Sequence, residues 1–453
     1  MDDQHTAPAA DAARRCPIYG QDFAADPNGI YDQLRAHGPA APVEIAPGVD
    51  ATLVTQHEAA LRVMQNPSLF VRDSRRWTAL NDGRVPADSP VLGMMAYRPN
   101  CLYTDGTEHL RLRKAVTESL DQLNVSRLGR DVERIADYLI DQFSERGSAE
   151  LMGEYAKLLP LLLFNKLFGC PAGIGDTLTR SISVLFDGGD VVAAHQDLTD
   201  CLMELVTIKR REPGEDITSW LVQHPAGLSD EELKDQLIVL MGAGVEPVRN
   251  LIGSATFLLL SEDSRQRGGL LVEDALNEVL WNVPPVANWA THFPVQDVDL
   301  GGVIIEANTP VLISFAAANR DPALTEARQA LGKGAHLSWG AGPHVCPAKS
   351  PAQLIAVTAI EKLLNALPDL TLGAPEETLA WRPGPFHRAL AELPVRFSPT
   401  PATRVAAALP PQTSAPVGAS HGSAAASAQA APKPEQGGRK KGFWSSFLDV
   451  FRI

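Results

Sequence analysis

A glycine-rich turn holds the residue best suited to chemistry in this sequence. The stretch HLSWGAGPHVCPAKSPA, residues 336–352, places Cys346 two positions after His344 and just before a predicted helix. Gly340 and Gly342 allow the backbone to approach closely and to direct amide groups at the sulfur. The helix after Pro347 would point the positive end of its dipole at a thiolate. The turn is therefore suited to a ligating sulfur.

From these residues alone, three interpretations of Cys346 stay open. A free cysteine is commonly a small buried hydrophobic residue. A zinc site with His344 is the second interpretation, although no other Cys or His lies at metal-ligand spacing nearby. The third is a single thiolate ligand to haem iron, which needs one sulfur in a positive electrostatic setting.

Five motifs in a fixed order favour the third interpretation. The turn reads W-G-x-G-x-H-x-C-x-A and resembles the haem-binding loop of the cytochrome P450 family, with Trp339 and Ala348 in place of Phe and Gly. The resemblance extends over about 16–399. It also includes the segments HLRLR (109–113), AGVEPVRNLIG (243–253), NEVLW (277–281) and AANRDP (317–322).

The resemblance implies a mainly α fold with small β-sheets, a haem b cofactor and a set of residues that hold it. Cys346 would be the iron ligand. His109, Arg113 and His344 would bind the haem propionates, because buried carboxylates need charged or hydrogen-bonding partners. His292 lies where the family often has another propionate-binding Arg, so we expect the same role.

Two departures from the family pattern bear on chemistry. The distal helix usually carries an acid and a threonine that deliver protons to oxygen. Here the acid is Glu246, the expected catalytic residue, and the threonine position is Pro247, which has no hydroxyl and frees a carbonyl one turn earlier. The family also has the pattern E-x-x-R, in which a Glu and an Arg pair on one helix face. Here Glu278 is followed by Trp281 at the position of the Arg. The sequence thereby resembles an actinobacterial subgroup with E-x-x-W, often encoded beside components of membrane-associated signalling complexes.

The expected function is that of a cytochrome P450-type monooxygenase acting on a small apolar molecule. Its electrons would come from a ferredoxin and ferredoxin reductase, because the chain has no flavin or iron–sulfur motif of its own. The alternative is a haem-binding redox, ligand-sensing or scaffold component of a signalling complex that lacks efficient monooxygenation. Pro247 and Trp281 keep this alternative open.

The composition sets limits on compartment and partners. The formal net charge of −14 argues against a nucleic-acid partner, which needs a basic footprint. Five scattered cysteines without a CxxC pair favour a reducing cytoplasm. The first fifteen residues have no apolar stretch typical of a secretory signal.

The elements that must position these residues are mostly helical. Helical periodicity dominates about 107–280, two short strands are predicted within 43–55, and a hairpin-like strand pair within 292–315. We expect a disordered N-terminus at 1–15, the haem domain at 16–399 and a disordered Ala/Pro/Ser/Gly linker at 400–438.

The segment 439–453 predicts a basic amphipathic helix. Arg439, Lys440 and Lys441 precede it, and one face carries the apolar residues Phe443, Trp444, Phe447, Leu448, Val450 and Phe451. Two interpretations stay open: peripheral docking at the inner face of the membrane, or docking on the protein's own body or a partner protein.

Overall fold

The computed structural model describes residues 15–187, 190–266, 269–326, 328, 332–402, 444 and 447–448. The predicted segment 1–15 therefore falls outside the described residues except for its last position, and the linker 400–438 except for its first three. The body between them is mainly helical with small sheets, as predicted. Its helices and strands have the following bounds.

In chain order the α-helices are α1 (Gln21–Ala25), α2 (Pro27–Arg35), α3 (His57–Met64), α4 (Thr78–Asn81), α5 (Leu92–Met95), α6 (Gly106–Leu120), α7 (Val125–Asp141), α8 (Leu158–Leu167), α9 (Ala172–Asp187), α10 (Val191–Arg211), α11 (Ile217–Gln223), α12 (Asp230–Leu260), α13 (Glu262–Gln266), α14 (Val272–Asn282), α15 (Phe315–Asn319) and α16 (Lys349–Ala366). The strands are β1 (Cys16–Pro17), β2 (Ala40–Ala46), β3 (Val49–Val54), β4 (Phe70–Val71), β5 (Ser148–Glu150), β6 (Asn288–Pro294), β7 (Val298–Leu300), β8 (Val303–Ile305), β9 (Val311–Ser314), β10 (Thr371–Leu372) and β11 (Pro394–Arg396).

Helix α12 is the central helix of the body. Ser229 and Glu232 form a capping box at its start, which satisfies backbone amides that have no partner inside the helix. The helix continues through Pro247 to its end at Leu260. It is long and apolar enough to cross a membrane, but 61% of its most apolar stretch is buried, and it packs against α8, α10, α14 and α16. These contacts are those of a core helix.

The largest sheet has the strand order β1-β2-β3-β9-β6-β4. The predicted strands within 43–55 are confirmed as β2 and β3, which form an antiparallel hairpin. The predicted strand pair at 292–315 is only partly correct. A short hairpin joins β7 and β8, whereas β9 leaves that hairpin and enters the large sheet between β3 and β6. Edge strand β4 pairs with β6.

The predicted C-terminal amphipathic helix is described at three positions, and these positions contradict the membrane interpretation. The side chains of Trp444 and Phe447 are only 2% and 1% exposed. Both belong to the core formed by α7, α8, α12, α14 and α16, and Leu448 packs against it. Aromatic side chains that the body itself covers have no surface left to insert into lipid, so these residues dock on the protein.

Candidate active site

The Cys346 turn is built from two short 3₁₀ segments that precede α16. They span Leu337–Trp339 and Gly342–His344. The amide N–H of Cys346 donates to the carbonyl of Trp339 at 2.8 Å, which closes the turn. Gly342 has a φ of +70°, and a Cβ there would lie 2.2 Å from the carbonyl oxygen of Met64. Only glycine therefore fits where the turn passes α3.

The surroundings of Cys346 shift the pKa of its thiol in opposite directions. Burial raises the pKa of this thiol, while the backbone amide of Ala348 and the charge of Arg113 lower it. The start of α16 follows three residues later, so the amides at its first turn face the same region. An amide donor, a guanidinium and a helix N-terminus all stabilise the thiolate that forms when metal binding displaces the thiol proton.

Cys346 borders a cavity of about 290 Å³. Helix α12 forms one wall, and the end of α8 forms another with Phe164, Leu167 and Phe168. The α12 residues at this wall carry no hydroxyl or carboxyl group: they are Val239, Leu240, Ala243, Gly244, Pro247, Val248 and Leu251. The cavity therefore has a sulfur on one side and an apolar helix face on another.

Three predicted propionate ligands line the same cavity, namely Arg113, His292 and His344. The guanidinium of Arg113 donates to the carbonyl of Val345, which ties α6 to the cysteine turn. Burial together with the charge of Arg72 lowers the pKa of His292 well below its ordinary value. Burial and the charge of Arg72 are also the two largest causes that lower the pKa of His344. Even a neutral imidazole can donate one N–H to a carboxylate.

The fourth predicted ligand, His109, is close to this group but does not line the cavity. Its ring lies against that of His344, with centroids 3.9 Å apart. One ring nitrogen is 2.9 Å from the carbonyl oxygen of Cys101, and the other is 3.3 Å from that of Pro343. A neutral imidazole has a single N–H, so His109 can donate to only one of these two carbonyls. Its contact with a propionate stays a prediction.

Arg72 is a member of this cluster that sequence reasoning missed. It follows strand β4, whose residues Phe70 and Val71 pair with Pro294 and Phe293 of β6. This register carries Arg72 to the cavity lining beside His292. Burial lowers the pKa of Arg72 to about 10, so the guanidinium stays charged near neutral pH. No spacing marks it in the sequence, since Arg75 and Arg76 follow closely and face solvent.

The residues around the cavity fit a haem group. Buried polar atoms without a partner in the described part of the chain include Nδ1 of His292 and Nε1 of Trp339, and both residues line the cavity. An anionic group between Arg72, Arg113 and the histidines would satisfy such donors. The described residues contain no group of three or more His, Cys, Asp or Glu side chains suited to a metal, so a zinc site has no support there. A cysteine on the turn before α16, a cationic rim and apolar walls match haem ligation.

Glu246, the predicted catalytic residue, is buried beside the cavity wall formed by α12. The residue is only 1% exposed and does not line the cavity. Its carboxylate accepts hydrogen bonds from Arg382, from Arg249 at 3.4 Å and from Asn250 at 3.2 Å. Two guanidinium groups on the far side of α12 thus hold the carboxylate away from the cavity. The catalytic role of Glu246 stays a prediction.

Trp281 occupies a supported position away from the cavity. Its indole N–H donates to the carbonyl of Lys333 at 2.6 Å, and the guanidinium carbon of Arg328 lies 4.7 Å from its ring centroid. Glu278 is exposed and accepts a hydrogen bond from Asn282 at 2.7 Å. Asn282 in turn accepts one from Arg328 at 3.2 Å. Glu278 therefore needs no buried Arg partner.

Comparisons with known proteins agree with this site. The chain is 32% identical over 397 residues to cytochrome P450 monooxygenase PikC of Streptomyces venezuelae, which covers 83% of this chain and 92% of that protein. It is 31% identical to nocardicin C N-oxygenase of Nocardia uniformis subsp. tsuyamanensis, over 84% of this chain and 98% of the relative. The solved structure of CYP154C4 from Streptomyces sp. W2061 matches with a TM-score of 0.75 and 28% identity, over 84% of this chain and 97% of that one. No family model matches the chain.

These similarities span the same body that carries the cysteine turn and the cavity. The described fold, the Cys346 turn at the cavity and the cationic rim lead to the same conclusion. The chain belongs to the cytochrome P450 family of haem-thiolate monooxygenases.

Proposed function

We propose that this monooxygenase oxidises a C–H bond of a small apolar organic molecule bound between the haem and α12. The observation that carries the proposal is the apolar face of α12 opposite the sulfur of Cys346. Apolar side chains stabilise a bound ligand through its buried surface but do not recognise charges. A charged substrate would lose hydration at this wall and gain no partner there.

The cofactor we propose is haem b, held by residues of three elements and the cysteine turn. Cys346 would bind the iron, while Arg72, Arg113, His292 and His344 would bind the propionates. Bound there, haem supplies the one-electron and oxygen chemistry of the reaction. The protein's own residues fix its orientation and give the substrate a cavity that is shielded from water.

The iron ligand is tested by replacing either of two cysteines that border the cavity. We expect Cys346→Ser to abolish the strongly red-shifted Soret band of the reduced carbon-monoxide complex, because an alcohol cannot replace the thiolate. Cys101→Ser is the matched control, since Cys101 also lines the cavity and its thiol is buried. Retention of the band in Cys346→Ser, or its loss in the control alone, would overturn the assignment.

A screen of ligand classes tests the substrate proposal. Apolar compounds should shift the haem spin state at lower concentration than carboxylated or aminated analogues of equal size, because α12 offers the charge no partner. Tighter binding of the charged analogues would contradict an apolar substrate. The proposed setting for the reaction is the cytoplasm, in keeping with the burial of α12 in the body.

We also propose that electrons arrive from a ferredoxin and its reductase at the surface beside the cysteine turn. Val345 adjoins Cys346 and is 42% exposed, and Leu110 on α6 is 65% exposed. Leu110 and Arg113 lie one turn apart on α6, and Arg113 contacts the Val345 carbonyl. Lys114, one turn from Leu110, forms an ion pair with Glu118 at 3.7 Å, so this face of α6 carries both charges. Exposed apolar residues beside charged ones are typical of transient protein contacts.

The electron-transfer surface is tested by placing a carboxylate on it. We expect Val345→Glu to slow haem reduction by a ferredoxin–reductase pair several-fold while the carbon-monoxide spectrum after chemical reduction stays unchanged. Ile304→Glu is the control, because Ile304 is 64% exposed on the β7–β8 hairpin. Equal reduction rates for both variants would remove this surface from the proposal.

A further inference from the structure

The residues Trp444, Phe447 and Leu448, here called the C-terminal latch, dock into a specific site on the body. The rings of Trp444 and Phe447 stack with centroids 5.4 Å apart and planes 15° from parallel. Phe447 also meets the ring of Tyr138 on α7 edge to face, at 5.4 Å. Burial of two aromatic side chains removes a large apolar area from water. The latch is therefore packed into the body and does not merely lie on its surface.

Hydrogen bonds fix the orientation of the tryptophan. Its backbone N–H donates to the carboxylate of Asp176 at 2.9 Å, near the start of α9. Its indole N–H donates to the carbonyl of Cys170 at 3.2 Å, between α8 and α9. Apolar contact alone would accept several ring orientations, whereas two directed bonds select one.

A glycine completes the latch socket, which we define as Tyr138, Cys170, Gly175 and Asp176. A Cβ on Gly175 would lie 2.1 Å from Cδ1 of Trp444, closer than any real contact. The backbone of α9 can receive the indole ring only because this position has no side chain. By contrast, a Cβ on Gly173 in the same helix would meet no atom within 4 Å.

The point where the chain leaves the body supports docking of the latch on its own chain. The amide of Thr400 donates to the carbonyl of Ser144 at 2.9 Å. Ser144 follows Tyr138 by six positions, which corresponds to roughly 10 Å along a helix. Residues 403–443 connect this point to the latch, and they are long enough to cross that distance.

The socket also adjoins the wall of the haem cavity. Phe164, Leu167 and Phe168 line the cavity, and Cys170 follows Phe168 by two positions. The side-chain amide of Asn165 on α8 donates to the carbonyl of Gly175 at 3.0 Å, which joins the two helices at this corner. A ligand of the socket therefore contacts the same corner that carries the cavity wall.

We propose that the C-terminal latch is an intramolecular ligand of the α8–α9 corner and that its docking orders the wall of the haem cavity. With the latch docked, Phe164, Leu167 and Phe168 are held in one arrangement. With the latch released, the corner loses the buried rings of Trp444 and Phe447 and the two hydrogen bonds of Trp444. Binding in the cavity then requires these residues to be ordered anew, which weakens affinity.

The test uses full-length protein and two alanine substitutions in α9. Gly175→Ala should expel the latch, whereas Gly173→Ala should leave it docked. Hydrogen exchange should show lost protection in peptides covering 164–176 and 444–448 for Gly175→Ala only. In a Trp444→Ala background, Gly175→Ala should instead raise the melting temperature, because alanine is favoured over glycine in a helix once the clash is gone.

A cavity probe tests the coupling. We expect the dissociation constant of 4-phenylimidazole, followed by the Soret shift, to rise several-fold in Gly175→Ala and in Trp444→Ala relative to Gly173→Ala. Equal exchange protection in the two glycine variants would overturn the docking. Lost protection with an unchanged dissociation constant would overturn the coupling to the cavity. The exchange measurement needs no haem, so it stays informative if the proposed cofactor site fails.

Discussion

The carboxylate of Glu246 is a buried charge with two cationic partners. Arg249 lies one turn along the same helix, and Arg382 reaches it from a segment 136 positions away in the chain. Removing a charge from such a group is destabilising, because the remaining buried charges lose a favourable contact. At this residue the physical role is to join α12 to the 382 region.

Glu246→Gln tests this role directly. We expect it to lower the free energy of unfolding by about 3–5 kcal/mol, because Arg249 and Arg382 each lose a charged hydrogen-bond partner in the interior. Denaturant titration of the holoprotein measures this change. Glu231→Gln, an exposed position on the same helix, should have little effect. Unchanged stability with a large loss of product per electron would instead return Glu246 to a catalytic role.

Pro247 is the residue at which we predict an effect on the oxygen chemistry. It lines the cavity without a hydroxyl, and the missing N–H leaves the carbonyl of Ala243 without its helical donor. We expect the wild type to release peroxide and Pro247→Thr to convert more reducing equivalents into product. The measurement is the ratio of peroxide released to reducing equivalents consumed.

Pro247→Val is the matched control for this effect. Valine has the shape of threonine and restores the backbone N–H but adds no hydroxyl. If valine improves the yield as much as threonine does, the backbone and not the hydroxyl is responsible. A tightly coupled wild type would show that another proton path suffices without a hydroxyl at position 247.

At the scale of elements, α14 joins the cysteine turn through side chains that replace a conventional ion pair. Trp281 is buried, and its ring also meets that of His336 edge to face at 5.8 Å. His336 caps the 3₁₀ segment Leu337–Trp339 that begins the cysteine turn. A large aromatic side chain thus transmits the position of α14 to the turn.

Trp281→Ala should therefore destabilise the fold and loosen haem. We expect a loss of about 3–5 kcal/mol in unfolding free energy from the cavity left behind. Trp281→Phe keeps a ring but loses the bond to Lys333, so its cost should be about 1 kcal/mol. Thermal melts and the rate of haem transfer to apomyoglobin measure both effects. Normal stability together with lost activity in Trp281→Ala would contradict a structural role.

At the scale of the whole molecule, the sequence predicts what is local and misses what depends on distant segments. The cysteine turn, the helix with Arg113 and the long helix α12 follow from spacing and periodicity within a few residues. Arg72 reaches the site only through the pairing of β4 with β6, which no local pattern encodes. The side of α12 that Glu246 faces is equally hidden, because this helix is apolar around much of its circumference and buried on several sides.

The C-terminal segment shows the same limit. Amphipathic spacing predicts an apolar face but not the surface that covers it, since lipid and protein both accept aromatic side chains. The choice depends on a glycine in α9 and a carbonyl after α8, far from the segment in sequence. Only the packed structure brings these features together.

The separation between latch and socket has a consequence for synthesis. Asp176 and Cys170 leave the ribosome 268 and 274 residues before Trp444 does. The body of each new chain can therefore fold while the latch socket is still empty, because the latch has not yet been synthesised. A chain interrupted before Trp444 keeps an exposed apolar site that complete molecules have hidden. That site would give chaperones and proteases a physical means of distinguishing unfinished copies from finished ones.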